Sequence, residues 1–460
     1  MSEATDGLAV PQRYWAILTI ALGLVMAVLD GAIANVALPT IARELGVSPA
    51  SSIWVVNAYQ LAVTVSLLPL AALGDIIGYR RVYQMGLVVF TVASLACARS
   101  DSLVLLALAR VAQGLGASGI MSVNTALIRF IYPRRRLGTA MGINAMLVAV
   151  SSAIGPTVAS GILSVAPWPF LFYVNVPIGI FALVLGFRTL PDTSRAADKF
   201  DAVSAGLSAV TFGVMIVGVD GLGQGENRLL VVSELLFAAV AGYFLVKRQL
   251  SRSNPLFPID LLRIPIFGLS IATSICSFAA QTLAYVSLPF YLQNGLGRNQ
   301  VETGLLMTPW PLTVAIIAPI AGRLVDRIDA GLLGGVGLLS LAAGLVLLAM
   351  LPAQPTDIDI AWRLVLCGFG FGLFQTPNNR AMIGASPPSR SGAAGGMLAT
   401  ARLLGQTFGA AMVAVLFSLF AAHGTNAALL AGASFSVVAA GVSLLRLRPN
   451  KPVSRGSVAD

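Results

Sequence analysis

Asp30 is the acidic residue of this chain most able to do chemistry, because of where it stands rather than what surrounds it in sequence. Of 19 Asp and Glu residues, it alone lies deep inside a long apolar run in either half of the chain. A charged side chain at the centre of a hydrocarbon layer costs about 2.5–3.5 kcal/mol on insertion scales, and such residues usually mark ion pathways or proton relays. Arg110 is the matching cation. Asp30 lies eight residues inside the end of its run at Leu38, and Arg110 lies eight residues inside the start of its run at Ser102. At 1.5 Å of rise per residue both sit about 12 Å from one membrane face. No other acid stands between Ser102 and Pro191. The pair is therefore expected to meet, with a proton taken up by Asp30 freeing Arg110; a purely structural ion pair joining two helices is the plainer alternative.

A second set of residues offers contacts rather than charge. Trp54, Asn57 and Tyr59 fall in one apolar run, Gln281 and Tyr285 in another, Trp310 in a third, and Phe374, Gln375 and Asn378 in a fourth. Gln281 and Tyr285, four apart, share a helix face. Aromatic rings and amides suit lipophilic or cationic organic molecules through stacking and cation–π contact, although each such residue alone is more often packing or interface belt. Asn175 lies near the depth of Asp30 and is expected to join its polar layer. Gly155-Pro156 combines close helix approach with a lost backbone bond, which predicts a kink or hinge. Asp75, Gly78, Arg80 and Arg81 form a short polar turn between apolar runs, and Asp326 stands in a similar turn later on.

Other signals lead nowhere. Gly114-Leu115-Gly116-Ala117-Ser118-Gly119 fits a dinucleotide fingerprint in letters, but it lacks the preceding strand and the following acid. No Walker A sequence is present. His423 is the sole histidine, so no metal centre is expected. Cys97, Cys276 and Cys367 sit in apolar runs as small hydrophobes. Asp220 and Glu234 lie near the ends of their runs, where snorkelling accounts for them.

The elements that must position these groups follow from composition. The chain has 460 residues, 57% hydrophobic and 10% charged, where soluble domains carry about 25% charged residues. That excludes a soluble enzyme, a disordered chain and a disulfide scaffold. Fourteen spans of about 20 residues are expected at 14–38, 52–73, 82–98, 102–131, 138–163, 168–187, 204–222, 230–247, 266–294, 302–323, 331–351, 361–380, 392–421 and 427–445. The fold class is an all-α membrane protein. The segment Met1–Gln12 has no basic residue and no cleavage site, so the first span is expected to be retained. Placing the N-terminus inside puts most of the 29 Lys and Arg residues on the cytoplasmic side. Only Arg43, Arg99, Arg228, Arg298 and Arg363 fall outside, with Arg110 and Arg402 inside spans. Both termini are then cytoplasmic in a multi-pass plasma (bacterial inner) membrane protein. The net charge of +10 is a topology signal, and no nucleic-acid partner is expected.

An internal repeat organises the spans. Asp75 and Asp326 recur 251 residues apart, and the Gly142 and Gly396 motifs 254 apart. Two six-span halves follow, 14–190 and 266–445, with a two-span linker at 191–265 and short tails at 1–13 and 446–460. Duplicated halves around a midplane site are how secondary transporters are built.

Several segments in register resemble one family. Leu29-Asp30-Gly31-Ala32-Ile33-Ala34-Asn35-Val36-Ala37-Leu38-Pro39, Trp54-Val55-Val56-Asn57-Ala58-Tyr59, Arg110-Val111-Ala112-Gln113-Gly114, Gly155-Pro156 with Gly161, and Asn175-Val176-Pro177-Ile178-Gly179 are similar to motifs of the fourteen-span drug:proton antiporters of the major facilitator superfamily. Departures are Ala71 where the loop motif opens with Gly, Ile76 where a basic residue follows the Asp, and Ser160 in the closing pair of glycines. The resemblance implies a major facilitator fold and proton-coupled efflux of small organic compounds by alternating access. It implies proton coupling at Asp30 and Arg110, gating by the Asp75 loop, and a proton-sealing hinge at Gly155-Pro156. The proton gradient replaces any cofactor, and small substrate, protons and lipid are the expected partners of a monomer. A carrier of one metabolite, or a transporter-like sensor or scaffold, are the alternatives.

Overall fold

The computed structural model describes residues 7–133, 136–193, 200–224, 227–251, 259–386, 391–420 and 423–447. Parts of the expected tails, and Arg134, Arg135 and Lys199, lie outside them. The described residues form α-helices in a single succession. These are α1 Gln12–Glu44, α2 Pro49–Ser52, α3 Trp54–Ile77, α4 Tyr79–Ala98, α5 Leu103–Ile131 and α6 Leu137–Leu163. Next come α7 Phe170–Tyr173, α8 Asn175–Thr189, α9 Ala202–Gln224 and α10 Arg228–Leu250. The remainder are α11 Pro265–Phe290, α12 Gln300–Met307, α13 Pro309–Leu324, α14 Ala330–Ala349, α15 Asp357–Ala385, α16 Ser391–Leu419 and α17 Gly424–Leu444.

Local chemistry sets the ends. Ser102 accepts from the Leu105 N–H to start α5, and capping boxes at Asn299/Glu302 and Thr356/Asp359 start α12 and α15. Each satisfies two backbone groups that would otherwise be orphaned. Gly78, at φ 101°, breaks the chain between α3 and α4, a conformation closed to most side chains.

Among the described residues twelve helices are long and apolar enough to cross a membrane, not the fourteen expected. The expected span 361–380 lies within α15, where Arg363, Gln375, Asn378, Asn379 and Arg380 dilute the apolar stretch. The expected span 138–163 lies on α6, of whose described residues Ile154–Leu163 form an apolar piece too short to be counted.

Glycines bring helices together in the same way in both halves. A methyl group on Gly116 would lie 2.4 Å from the Phe90 nitrogen, and one on Gly370 would lie 2.4 Å from the Gly337 oxygen and 2.5 Å from the Leu341 nitrogen. The α4–α5 and α14–α15 crossings are thus repeats of one another, about 251 to 254 residues apart. The dinucleotide-like glycines, Gly116 and Gly119 among them, are the α5 side of such a crossing.

One core cluster holds α1, α3, α4 and α5 around Tyr83 and Phe90, and another holds α11, α14, α15 and α17 around Phe278 and Phe374. A third joins the two sets. Ile33, Val36 and Leu38 of α1 pack with Leu283 and Val286 of α11 and Val413 of α16. Hydrogen bonds follow the same seam: Gln293 Nε2 donates to the Val36 oxygen at 2.8 Å, Thr157 and Thr308 hydroxyls meet at 2.7 Å, and Gln300 donates to Thr40. All of these lie toward the end where α1 finishes. At the opposite, arginine-rich end the described ion pairs stay within one half. The halves are sealed at the first end.

Candidate functional site

Asp30 and Arg110 meet. They form an ion pair between α1 and α5 in which the two side chains are 2% and 0% exposed. The expectation from equal depth is met, and the surroundings are closely arranged. Asp30 Oδ1 accepts from Gln113 Nε2 at 2.9 Å and from Asn175 Nδ2 at 2.8 Å, while Oδ2 accepts from Arg110. Arg110 Nε donates to the Val55 oxygen at 2.8 Å, and its Nη1 also reaches Gln113 Oε1 at 2.6 Å. Gln113 Nε2 donates onward to Ser94 Oγ at 2.8 Å. The guanidinium carbon stands 4.2 Å from the Tyr59 ring centre and 5.6 Å from that of Phe172.

The helices explain the geometry. Arg110 and Gln113 are three apart on α5, hence on one face, and that face is turned to α1. Tyr59 OH donates to the Ala27 oxygen at 2.7 Å, which pins the ring under the guanidinium. A buried charge pair is tolerable only when its remaining donors and acceptors are satisfied, and here one group, Arg110 Nη2, is left without a partner. The carboxylate thus holds three donors, two from α5 and one from α8.

Gly155-Pro156 lies at the seam. A methyl on Gly155 would come within 2.6 Å of Ala32 Cβ, and one on Gly304 of α12 within 2.5 Å of the Pro156 oxygen. The dipeptide therefore sits between α1 of one half and α12 of the other, two residues along α1 from Asp30.

The polar turns are organised differently in each half. Asp75 accepts from the Tyr79 hydroxyl, and Arg80 pairs with Asp192 at 3.0 Å and donates to the Phe187 oxygen at 2.6 Å. Gly78 places the Tyr79 N–H 2.9 Å from the Thr193 hydroxyl, and Arg81 is exposed. In the second half Asp326 pairs with Arg380 at 2.6 Å. Arg380 lies 251 residues after Arg129, so the repeat extends to the arginine as well.

The expected substrate-contacting residues do not assemble as one wall. Trp310 and Phe374, each 1% exposed, belong to the packed core of the second half, with the Tyr285 ring 5.0 Å from Trp310. Asn378 ties α15 to α11 through Ser274 Oγ at 2.8 Å. Tyr59 serves the charged pair. Trp54, Gln281 and Gln375 are half-buried, and Asn57 is fully buried with neither amide atom partnered. Sequence reasoning missed Gln113, although it lies three residues after Arg110 in a motif already singled out. It also missed Ser94 and the Val55 carbonyl, for which no sequence signal exists. Among the described residues no cluster of His, Cys, Asp and Glu could hold a metal ion.

Comparison with known proteins gives the same architecture. Residues 20–410 match the family model described as Major Facilitator Superfamily. The chain is 59% identical over 452 residues to "Uncharacterized transporter YebQ" of Escherichia coli, covering 98% of both. It is 30% identical over 409 residues to the riboflavin transporter RibZ of Clostridioides difficile, covering 88% of this chain and 89% of that one. To the multidrug resistance protein Stp of Mycobacterium tuberculosis it is 34% identical over 406 residues, covering 87% and 74%. A crystal structure of a bacterial homolog of the human lysosomal transporter Spinster, inward-facing and unoccupied, superposes with a TM-score of 0.68 at 16% identity over 95% of this chain and 97% of that one. The chain belongs to the Major Facilitator Superfamily, as a multi-pass membrane transporter and not an enzyme.

Proposed function

We propose that this transporter exports small organic compounds in exchange for protons. The observation that carries the reading is the Asp30–Arg110 pair, buried at mid-depth and bonded to three helices. Protonation of Asp30 would dissolve its bonds to Arg110, Gln113 and Asn175 together, and so change which arrangement of α1, α5 and α8 is favoured. A ligand or proton shifts a conformational equilibrium only through such differential interaction. The proton gradient is then the energy source, with no cofactor. The seam at Gly155-Pro156 would keep protons from leaking while the halves rock, and the Asp75 and Asp326 turns would close the arginine-rich end in the alternate state.

A multidrug resistance protein among the relatives favours lipophilic compounds of several kinds; a riboflavin transporter favours the second reading, carriage of one metabolite. We further propose fourteen crossings in a 6+2+6 order, because α6 and α15 stand in sequence between helices that do qualify. Both termini are then cytoplasmic in the plasma membrane, as the arginine distribution favours. The test is dye efflux in inverted vesicles with and without a proton gradient. Wild-type efflux should depend on the gradient and Asp30→Asn should abolish that dependence; unimpaired gradient-driven efflux by Asp30→Asn would refute the coupling.

A further inference from the structure

Arg402 is the second arginine inside an apolar helix, and among the described residues no acid pairs with it. α16 is packed on three sides. Gly405 and Gly409 press on α11, where methyl groups would lie 2.4 Å from the Ile275 oxygen and 2.7 Å from the Ala279 oxygen. Leu403 packs in the cluster of Tyr59, Val63 and Leu67, and the Thr407 hydroxyl is 3.2 Å from that of Thr64 on α3. Ala411 and Val415 pack on Ile216 and Val219 of α9. At 3.6 residues per turn an arc remains between the strips facing α11 and α3, closed toward one end by the buried Ala410 and Val413. Arg402 and Gln406, four apart, occupy it. That arc is turned toward the other half, where the guanidinium lies within electrostatic reach of Tyr59 of α3.

The hydrogen-bonding state of Arg402 is unusual. Its Nε is fully buried with no partner, while the residue keeps part of its surface. Among the described residues it makes no hydrogen bond or ion pair, and neither does the Gln406 side chain. On α3, Asn57 and Gln60 share the face of Thr64 that looks toward α16, and both carry buried amide atoms without partners. Asp30 is already committed to Arg110, so among the described residues the Arg402 charge has no carboxylate paired with it.

We propose that Arg402, with Gln406, binds a carboxylate of the transported molecule. A guanidinium presents a planar fork of donors that matches a carboxylate in two parallel hydrogen bonds, and Gln406 adds a donor one turn away. This rests on the transport reading and narrows it: the substrate carries an aromatic or lipophilic body and an anionic group, rather than a cation. Tyr59 lies between the two arginines, with its ring against Arg110. An anion arriving at Arg402 is therefore felt at the proton-binding pair.

The experiment is equilibrium binding of anthracene carboxylate and its methyl ester to the purified full chain, read by probe fluorescence. Wild type should hold the carboxylate at least about tenfold more tightly than the ester, a difference of about 1.4 kcal/mol. Arg402→Gln should bind both alike, and Arg402→Lys should recover part of the preference. Because Nε has no partner to lose, Arg402→Gln should melt no lower than wild type. A wild type without preference, or a preference that survives Arg402→Gln, overturns the assignment. No proton gradient is used, so this result is independent of the Asp30→Asn efflux test.

Discussion

Three donors on two helices converge on Asp30, and Arg110 is fixed from a third through the Val55 carbonyl. Removing one member of such a pair leaves the other charge buried and alone, a loss of about 3–5 kcal/mol, whereas removing both is far milder. Arg110→Gln alone should therefore lower the unfolding free energy in detergent by about that range. The double variant Asp30→Asn/Arg110→Gln should recover most of it. Additive losses from the two single changes would mean that the charges do not interact as the geometry requires. The pair was legible in the sequence because depth in a membrane can be counted along a helix. Asn175 was legible for the same reason. Tyr59 was visible but placed on a substrate wall, because counting gives depth and not rotation about the helix axis. The side chain that lies over a guanidinium cannot be told from one that lines a cavity by depth alone.

Elements repeat where residues do not. The α4–α5 and α14–α15 crossings share their glycine contacts although the surrounding side chains differ, and the arginine after the polar turn recurs as Arg129 and Arg380. These were partly legible, since offsets in sequence carry over to structure when two halves share a fold. The inserted hairpin of α9 and α10 has no such counterpart; it packs on α16 through Ile216 and Val219 and carries a polar tie of its own. Arg248 Nη2 lies 2.8 Å from Asp201 Oδ1, and Ser204 donates to the same carboxylate through its N–H and hydroxyl. Burial raises the affinity of Asp201 for a proton, but the bonds from Arg248 and Ser204 outweigh it and bring the group down to about 2. Its unfolded value is about 3.9. A depressed native value means that the bond contributes fully above about pH 4 and loses its contribution as the pH falls toward about 2. Hydrogen exchange in the first turn of α9 should therefore be flat from pH 7 to about pH 5, once corrected for intrinsic rates, and should accelerate below about pH 4. Asp201→Asn should show the faster exchange at every pH. Protection in the variant equal to wild type at neutral pH would show that the tie is idle.

At the scale of the molecule the repeat fixed the fold, but not the state. Both conformations of a rocking transporter share one sequence, so nothing in spacing or composition could say which end is closed. The span count shows a related limit: polar residues such as the buried Asn378 and the exposed, ion-paired Arg380 make α15 read as less apolar than its neighbours. The closed end is defined by contacts between the halves, and these are testable as a unit. Thr157 of α6 and Thr308, which follows α12, are joined by a 2.7 Å hydroxyl contact across the seam, beside Pro156 and Gly304. Hydroxyls in direct contact bring the two side chains near enough for a disulfide between cysteines at these positions to be tested. The three native cysteines lie elsewhere, two of them buried. If the halves part at this end during each cycle, Thr157→Cys/Thr308→Cys should cross-link under mild oxidant, lose more than about nine-tenths of its transport, and regain it on reduction, as expected when alternating access is rigid-body motion of one half against the other. Either single cysteine should be indifferent to oxidant. A cross-linked protein that still transports at the wild-type rate would place the moving seam somewhere other than between α6 and α12.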